Sequence, residues 1–409
     1  SKAGGYEPDN PPDEAVKDIL SLGKWRLPYL EGVVETPVLR PDGSILKDPG
    51  YDAQISHYYY SPKRHKIPKI PDEPSAGEIK TALGVIRRLL NNFPFANKAS
   101  KANAFALLLT PIIRPAIKGC VPMAILDAPI MGTGKTFFAN TVAQIATGRD
   151  AHIFVAPQKN EEEMRKKVTT ILRNGTGMIL LDDITFTLNS SVLSTVLTSQ
   201  VWSDRILSTN TDIKVPHRSI WIAAGNNINI GKDLRRRCYW IRLDAKHPAP
   251  WKMQDDDFED PNLQDTVQRN RAKYLAALLI LARAWFVSVE SGHEQKSELK
   301  KIPCLGGFEK WRSMIGGILA FHGVPDFLGN LNEFFDRMDE ESLEWESLLE
   351  SIYDAYPSKP FTVSDILAKI KSKKNGLDDS LPFDLKEAMS DSLASPSKSF
   401  EKILGKAFA

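Results

Sequence analysis

The pattern of apolar and polar positions changes character several times along the chain. Between residues 121 and 244, five apolar runs too short for helices read as buried strands. They are Met123-Ala-Ile-Leu126, His152-Ile-Phe-Val155, Met178-Ile-Leu-Leu181, Ser219-Ile-Trp-Ile-Ala-Ala224 and Tyr239-Trp-Ile-Arg-Leu243. Helix-period segments at 137–143, 161–172 and 190–197 separate them. Such alternation predicts an α/β fold with a mostly parallel sheet covered by helices.

Upstream, residues 1–18 are rich in Pro, Gly, Asp and Glu and read as a flexible lead-in. The stretch Tyr29 to Leu39, the turn Pro41-Asp-Gly43, Ser44-Ile-Leu46 and His57-Tyr-Tyr-Tyr60 predict a small β-rich module. A basic segment, Pro62-Lys-Arg-His-Lys-Ile-Pro-Lys69, comes next; it fits a solvated linker or a phosphate contact. Helical periodicity appears twice in 76–118 and resumes over 263–337. Between them, the acidic run Asp255-Asp-Asp-Phe-Glu-Asp260 reads as a solvated loop. Three helical segments after Glu340 point to a helix-turn-helix or winged-helix module. The chain therefore divides into 1–75 (β-rich module and basic linker), 76–120 (helices leading into the core), 121–245 (core), 246–340 (helical) and 341–409 (winged-helix-like).

Composition changes this picture little. The chain has 409 residues, 42% hydrophobic and 25% charged, with a net charge of +2. Any nucleic-acid contact must therefore come from local patches. Cys120, Cys238 and Cys304 are too scattered for a disulfide framework or a zinc site and fit buried, reduced thiols in a cytoplasmic protein. No signal peptide and no apolar run long enough to span a bilayer is visible, so no membrane partner is expected. The first residues, Ser1-Lys-Ala-Gly-Gly5, lack a methionine, as in a processed chain or one shorn of an upstream domain.

The chemistry concentrates where strands end. Ala128-Pro129-Ile130-Met131-Gly132-Thr133-Gly134-Lys135-Thr136 lies between the first core strand and a helix opening at Phe137. That is the context of a phosphate-binding loop: glycines admit backbone N–H groups to the phosphates, and the helix N-terminus adds positive potential. Residues 129–137 are the expected nucleotide-binding segment. Lys135 would reach the β- and γ-phosphates and Thr136 would hold Mg²⁺. The usual first glycine is replaced by Pro129. The third strand ends Leu181-Asp182-Asp183; Asp182 is expected on the metal, and Asp183 where a general base or water-positioning carboxylate belongs, although many such enzymes carry Glu there. Asn226, first off the fourth strand, is placed to hold the attacking water or sense the γ-phosphate. Arg235-Arg236-Arg237 precede the fifth strand, where three guanidiniums suit a neighbouring subunit's γ-phosphate; Arg237, nearest the strand, is the first choice. Two β-like arms at 201–207 and 213–218 predict a hairpin whose Lys214, His217 and Arg218 could face a nucleic-acid backbone.

In this order, glycine loop, Asp-Asp strand, inserted hairpin, amide strand, arginine run and helical lid resemble an AAA+ (P-loop NTPase) ATPase. Gly32-Val-Val-Glu-Thr-Pro-Val-Leu-Arg-Pro-Asp-Gly43 with Pro49-Gly-Tyr-Asp52 is similar to the segment preceding the core in superfamily 3 and minichromosome-maintenance-like helicases of phage, plasmid and genomic-island primase-helicases. Gly306-Gly-Phe-Glu-Lys-Trp311 with Phe321-His-Gly323 resembles the end of their lid. The resemblance, over about residues 25–340, implies ATP and Mg²⁺ as cofactors, homo-hexameric rings, hydrolysis at subunit interfaces and 3′-to-5′ translocation on single-stranded or forked DNA. It makes Lys214 the leading DNA contact in the central channel. It also implies a lid arginine on the γ-phosphate, Arg271 ahead of Arg269. A primase domain or protein is an implied partner, although no primase signature occurs in this chain. The implied function is an ATP-dependent DNA helicase in replication of a mobile element. The alternatives are an ATP-switched initiator or loader that binds DNA without processive unwinding, and a protein-remodelling machine, for which an aromatic pore loop is missing.

Overall fold

The computed structural model describes residues 10–22, 27–61, 68–158, 160–205, 212–257, 259–292 and 296–338, with a few positions between 348 and 366. Nearly all of the winged-helix-like module of 341–409, most of the basic linker and the hairpin tip at 206–211 lie outside the described residues.

Strands run in order β1 Gly32–Val34, β2 Val38–Leu39, β3 Ile45–Leu46, β4 Gly50–Asp52, β5 His57–Tyr59, β6 Met123–Ala128, β7 His152–Ile153, β8 Met178–Ile184, β9 Val201–Arg205, β10 Asp212–Pro216, β11 Ile220–Asn226 and β12 Cys238–Arg242. The α-helices are α1 Asp13–Ser21, α2 Ala76–Asn91, α3 Lys98–Ile113, α4 Lys135–Thr147, α5 Glu161–Arg173, α6 Ser191–Thr198, α7 Lys232–Arg235, α8 Leu263–Arg269, α9 Arg271–Glu290, α10 Lys296–Lys301, α11 Glu309–Phe321 and α12 Leu331–Met338.

The core is a five-stranded parallel sheet of order β12-β6-β11-β8-β7. All five strands expected from the apolar runs are present, though the second shrinks to His152–Ile153, both exposed at the sheet edge. β6 is buried along its whole length, as a strand covered on both faces must be. The strand order decides which residues can meet. β11 lies between β6 and β8, so the ends of three strands carrying Ala128, Asn226 and the Asp182-Asp183 pair are neighbours.

α3 is almost wholly buried and packs against β12. Its Asn103 crosses to the Trp240 carbonyl (2.8 Å) and to Asn330 (3.0 Å), pinning the helices after 263 to the sheet. α9 is long and apolar enough, by length and composition, to cross a membrane. It also carries Arg271, Lys273 and Arg283 and packs against α2, α3, α4 and α11, which makes it a core helix of this fold.

The N-terminal module is β-rich as expected. β2 and β3 form a hairpin, and β5 pairs with both β1 and β4. Gly43 in the turn has φ +80°, and a Cβ there would come within 2.7 Å of Phe286, so the turn also seats against α9. One expectation fails: part of the lead-in is helical. α1 carries Asp13 and Glu14 in its first turn, which suits the helix dipole, but it buries no residue. Cys120 and Cys238 are buried, whereas Cys304 is exposed and meets Arg312.

Candidate nucleotide site and hairpin

The glycine loop leaves the C-terminal end of β6. Gly132 and Gly134 take φ +78° and +88°, a region open to glycine at little cost. A Cβ on Gly132 would lie 2.9 Å from the Trp251 nitrogen, so the Pro250–Lys252 turn closes directly over the loop. α4 then opens at Lys135 with no side-chain cap and no acidic residue in its first turn. Its leading N–H groups are thereby left for an anion. Thr133 is buried, Ile130 is half-buried, Met131 is exposed, and the Pro129 carbonyl accepts Asn227 Nδ2 at 3.3 Å.

Around the loop the polar groups are paired with one another. Lys135 Nζ donates to Asn226 Oδ1 (2.7 Å) and to Thr133 Oγ1 (3.3 Å). Thr136 Oγ1 donates to Asp182 at 2.9 and 3.2 Å to its two oxygens. Partial burial pushes the Lys135 ammonium below the usual lysine range, against the pull of Asp127, Asp182 and Asp183. The sequence-predicted set of Lys135, Thr136, Asp182 and Asn226 is thus one connected constellation, with Asp183 exposed beside it.

A β-bulge positions the acidic pair. Leu181 pairs with Ala223 and Ile184 with Gly225, so Asp182 and Asp183 stand opposite Ala224 alone. Asp183 consequently takes φ +53°, and its N–H bonds Asp182 Oδ1 at 3.0 Å. Gly225 permits the close approach; a Cβ there would run into the Ile184 carbonyl.

Two features escape the sequence reading. The first is Asp127, wholly buried at the end of β6. It accepts from the Ile228 N–H (3.0 Å), Arg242 (2.5 Å), Arg337 (3.2 Å) and Trp240 Nε1 (3.3 Å). Arg337 also reaches Asn227 Oδ1 at 2.6 Å, which links α12 to the loop through Asn227. The second is a 450 Å³ cavity beside Gly132–Gly134, walled by Phe93, Pro94, Phe137, Met253 and Leu263. Asp257, Glu259 and Asp260 line it as well, so part of the acidic run borders this cavity. The Asn91-Asn92-Phe93-Pro94 turn is the available signal, and it reads as a helix stop.

Other predicted residues lie elsewhere. Arg271 is buried and bonds the Gln144 and Ile145 carbonyls at 2.9 and 3.1 Å. It caps the far end of α4, about 15 Å from the loop at the rise of an α-helix, and in this chain does not reach the glycine loop. Arg269 bonds the Asp265 carbonyl of its own helix. The arginine run sits at the opposite edge of the sheet, where the Arg237 carbonyl accepts from Met123 N at the start of β6. Arg235 is buried and faces the Ile230 and Phe335 carbonyls, and Arg237 binds the Asp233 carbonyl. Arg236 is the exposed one, 4.0 Å from Asp233.

The hairpin is present. β9 and β10 pair antiparallel with Lys214 opposite Ser203, and Lys214 is exposed. Trp202 and Asp204 on the other face anchor it to α5 through Thr169 and Arg165. Arg218 is tied to Glu31 of the N-terminal module at 2.7 Å. His217 is buried, donating from Nδ1 to the Ser199 carbonyl (3.0 Å) and accepting the Trp221 indole N–H (3.0 Å). Its ring cannot face a DNA strand, because both nitrogens are spent inside the core.

Burial, reinforced by Arg114 and Arg218, pushes the His217 imidazole down to about 4. A base held below its unfolded value of about 6.5 stabilises the fold above that value, and the stability is lost as pH falls toward about 4, by up to about 3 kcal/mol. His217→Gln should therefore flatten the fall of melting temperature from neutral pH to about pH 5 relative to the parent. Parallel curves would show that His217 does not titrate this way.

No protein-family model and no curated protein matches the chain by sequence. Among solved structures, the A-form apo structure of the NrS-1 C-terminal region is 15% identical, with a TM-score of 0.36, covering 70% of this chain and 68% of that one. A second structure of that region is 15% identical at a TM-score of 0.33, covering 65% and 60%. An inhibitor-bound structure of JCV Helicase is 12% identical at 0.24, covering 75% and 74%. Likenesses this distant carry no argument about activity, which has to come from the chain's own residues.

Proposed function

We propose that this chain is an AAA+ ATPase that assembles into rings and moves along single-stranded DNA as a helicase. The observation that carries the reading is one of placement. Lys135, Thr136, Asp182 and Asn226 meet at the C-terminal ends of adjacent strands, while the arginine run sits at the other edge of the same sheet. An arginine there is remote from this chain's own glycine loop, which supports a role at a neighbour's nucleotide.

The donors fit ATP and Mg²⁺. Thr136 and Asp182 offer the hydroxyl and single carboxylate that this hard cation takes when phosphates and waters supply the rest. Bound Mg²⁺ would neutralise charge between the β- and γ-phosphates. Lys135 would exchange Asn226 for phosphate oxygens. Asn226, so released, is free to orient the attacking water, and the exposed Asp183 carboxylate can accept its proton. The cavity beside the loop, with Phe93, Phe137 and Leu263 in its wall, would take the base. Arg236 of the adjacent subunit, rather than Arg237, is the better-placed finger, since Arg237 is committed to Asp233. Lys214 on the exposed hairpin face would grip the DNA strand.

The test is ATP-driven strand displacement on forked DNA. Lys214→Ala should lose unwinding while keeping DNA-independent ATP turnover. Unwinding at the parent rate would remove the hairpin from the mechanism. Nucleotide-dependent DNA binding by the parent with no strand separation would favour an ATP-switched initiator instead.

A further inference from the structure

We infer that the recess between α5 and the tip-side end of β9 is a second station for the phosphate backbone of a single nucleic-acid strand, held by Arg173 and Arg205. This rests on the DNA reading above and extends it to residues outside the hairpin face.

The recess has a volume of 120 Å³ and is lined by Arg165, Lys166, Arg173, Asn174, Asp204 and Arg205. A phosphodiester group fits a recess of that size and is the anion that paired guanidiniums suit. Four cations surround one carboxylate, and that carboxylate is already spent. Asp204 is nearly buried and accepts from Arg165 and Thr169. Lys166 pairs with Glu162 at 2.7 Å. Arg173 and Arg205 are exposed and have no ion-pair partner among the described residues.

The fold gives Arg173 a reason to be there, since it sits in the last turn of α5, where a cation suits the helix dipole. It gives Arg205 none. Arg205 stands opposite Asp212 across the hairpin, yet no ion pair forms between them. Two guanidiniums of like charge share one recess, an arrangement that an anion would relieve.

Geometry links the recess to the proposed DNA grip. Val201, Ser203, Arg205, Asp212 and Lys214 share one face of the hairpin. Arg205 and Lys214 are diagonal neighbours on it, about 7 Å apart. That step is comparable to the spacing of successive phosphates in an extended strand. Arg205 therefore belongs both to the Lys214 face and to the recess it shares with Arg173 and Asn174 of the α5 end, which joins the two. An acidic peptide would also neutralise the arginines, but the recess adjoins the Lys214 face that carries the proposed DNA strand, which favours nucleic acid.

The experiment is fluorescence anisotropy of labelled oligo-dT across a range of salt, on the full chain with a non-hydrolysable ATP analogue. Arg173→Glu/Arg205→Glu should weaken binding about tenfold and lower the slope of log affinity against log salt by about 1.4, two contacts at ~0.7 each. Arg173→Lys/Arg205→Lys should keep the parental slope. DNA-independent ATP turnover should be unchanged in both, which reports that the fold is intact. If Lys214→Ala weakens binding and the double Glu variant binds with parental affinity and slope, the recess is not on the DNA path and the DNA reading survives. If the parent chain binds no oligonucleotide at any salt, the DNA reading itself fails and this inference falls with it. Polyglutamate competing as well as oligo-dT at equal charge would overturn the assignment in favour of an acidic polypeptide.

Discussion

Lys135→Ala is expected to reduce ATP turnover by at least about 10²–10³-fold, the range seen when one electrostatic donor to a developing charge is removed. Its melting temperature should match that of the parent. The two halves of this expectation come from the same geometry. Lys135 is half-buried, and its two contacts, Asn226 and Thr133, are both residues of the site, so no core contact depends on it. Burial lowers the ammonium's affinity for its proton, and three carboxylates nearby oppose this. Asn226→Ala is the companion. It removes the partner that Lys135 must leave to reach phosphate, so nucleotide affinity should hold or rise while turnover falls. Phosphate release under saturating ATP, set beside nucleotide binding by anisotropy, separates the two. Turnover by Lys135→Ala at the parental rate would remove the glycine loop from the chemistry altogether.

Much of that constellation is legible in the sequence because its signals are local. Glycines that must take positive φ, a lysine and a hydroxyl after them, and carboxylates at the end of an apolar run each announce themselves within a few residues. The five core strands are legible for the same reason, as short apolar runs between helix-period segments. What escapes depends on contacts across long stretches of chain. Asp127 lies inside an apolar run and reads as an interruption of a strand; its partners Arg242 and Arg337 are more than a hundred residues away. His217 is expected on the DNA side from its place in the hairpin and Arg271 on the γ-phosphate from the family resemblance, yet His217 has Trp221 and Ser199 to bond and Arg271 has the open carbonyls of α4. The choice among Arg235, Arg236 and Arg237 cannot be made from spacing, since only folding reveals that two of the three are committed to carbonyls.

Asp127→Ala is expected to be the most destabilising single change near the site, by about 3–5 kcal/mol, because it leaves two partly buried guanidiniums without the carboxylate they share. Arg242 and Arg337 would both lose their carboxylate, and the Ile228 N–H and the Trp240 indole N–H would lose their acceptor. Burial holds the Asp127 carboxyl above the ordinary range, with the Ile228 N–H and Arg242 opposing, so the ion cluster stands only because all of its members are present. The two guanidiniums also lie 5.3 and 5.5 Å from the Trp240 ring, which would be left holding both cations without their anion. Thermal melting should show a drop on the order of 10 °C, taking about 2–4 °C per kcal/mol for a domain of this size. Asp127→Asn keeps an acceptor for the N–H groups and should cost less, yet it loosens Arg337, whose other contact is Asn227 against the Pro129 carbonyl. In that milder variant the expected result is a smaller fall in melting temperature than in Asp127→Ala, with altered ATP turnover, because the glycine loop would be disconnected from α12 while the N–H groups keep an acceptor. Asp127→Ala melting within about 2 °C of the parent would mean that the cluster contributes little to the fold. Unchanged turnover in Asp127→Asn would mean that α12 does not communicate with the loop through Asn227.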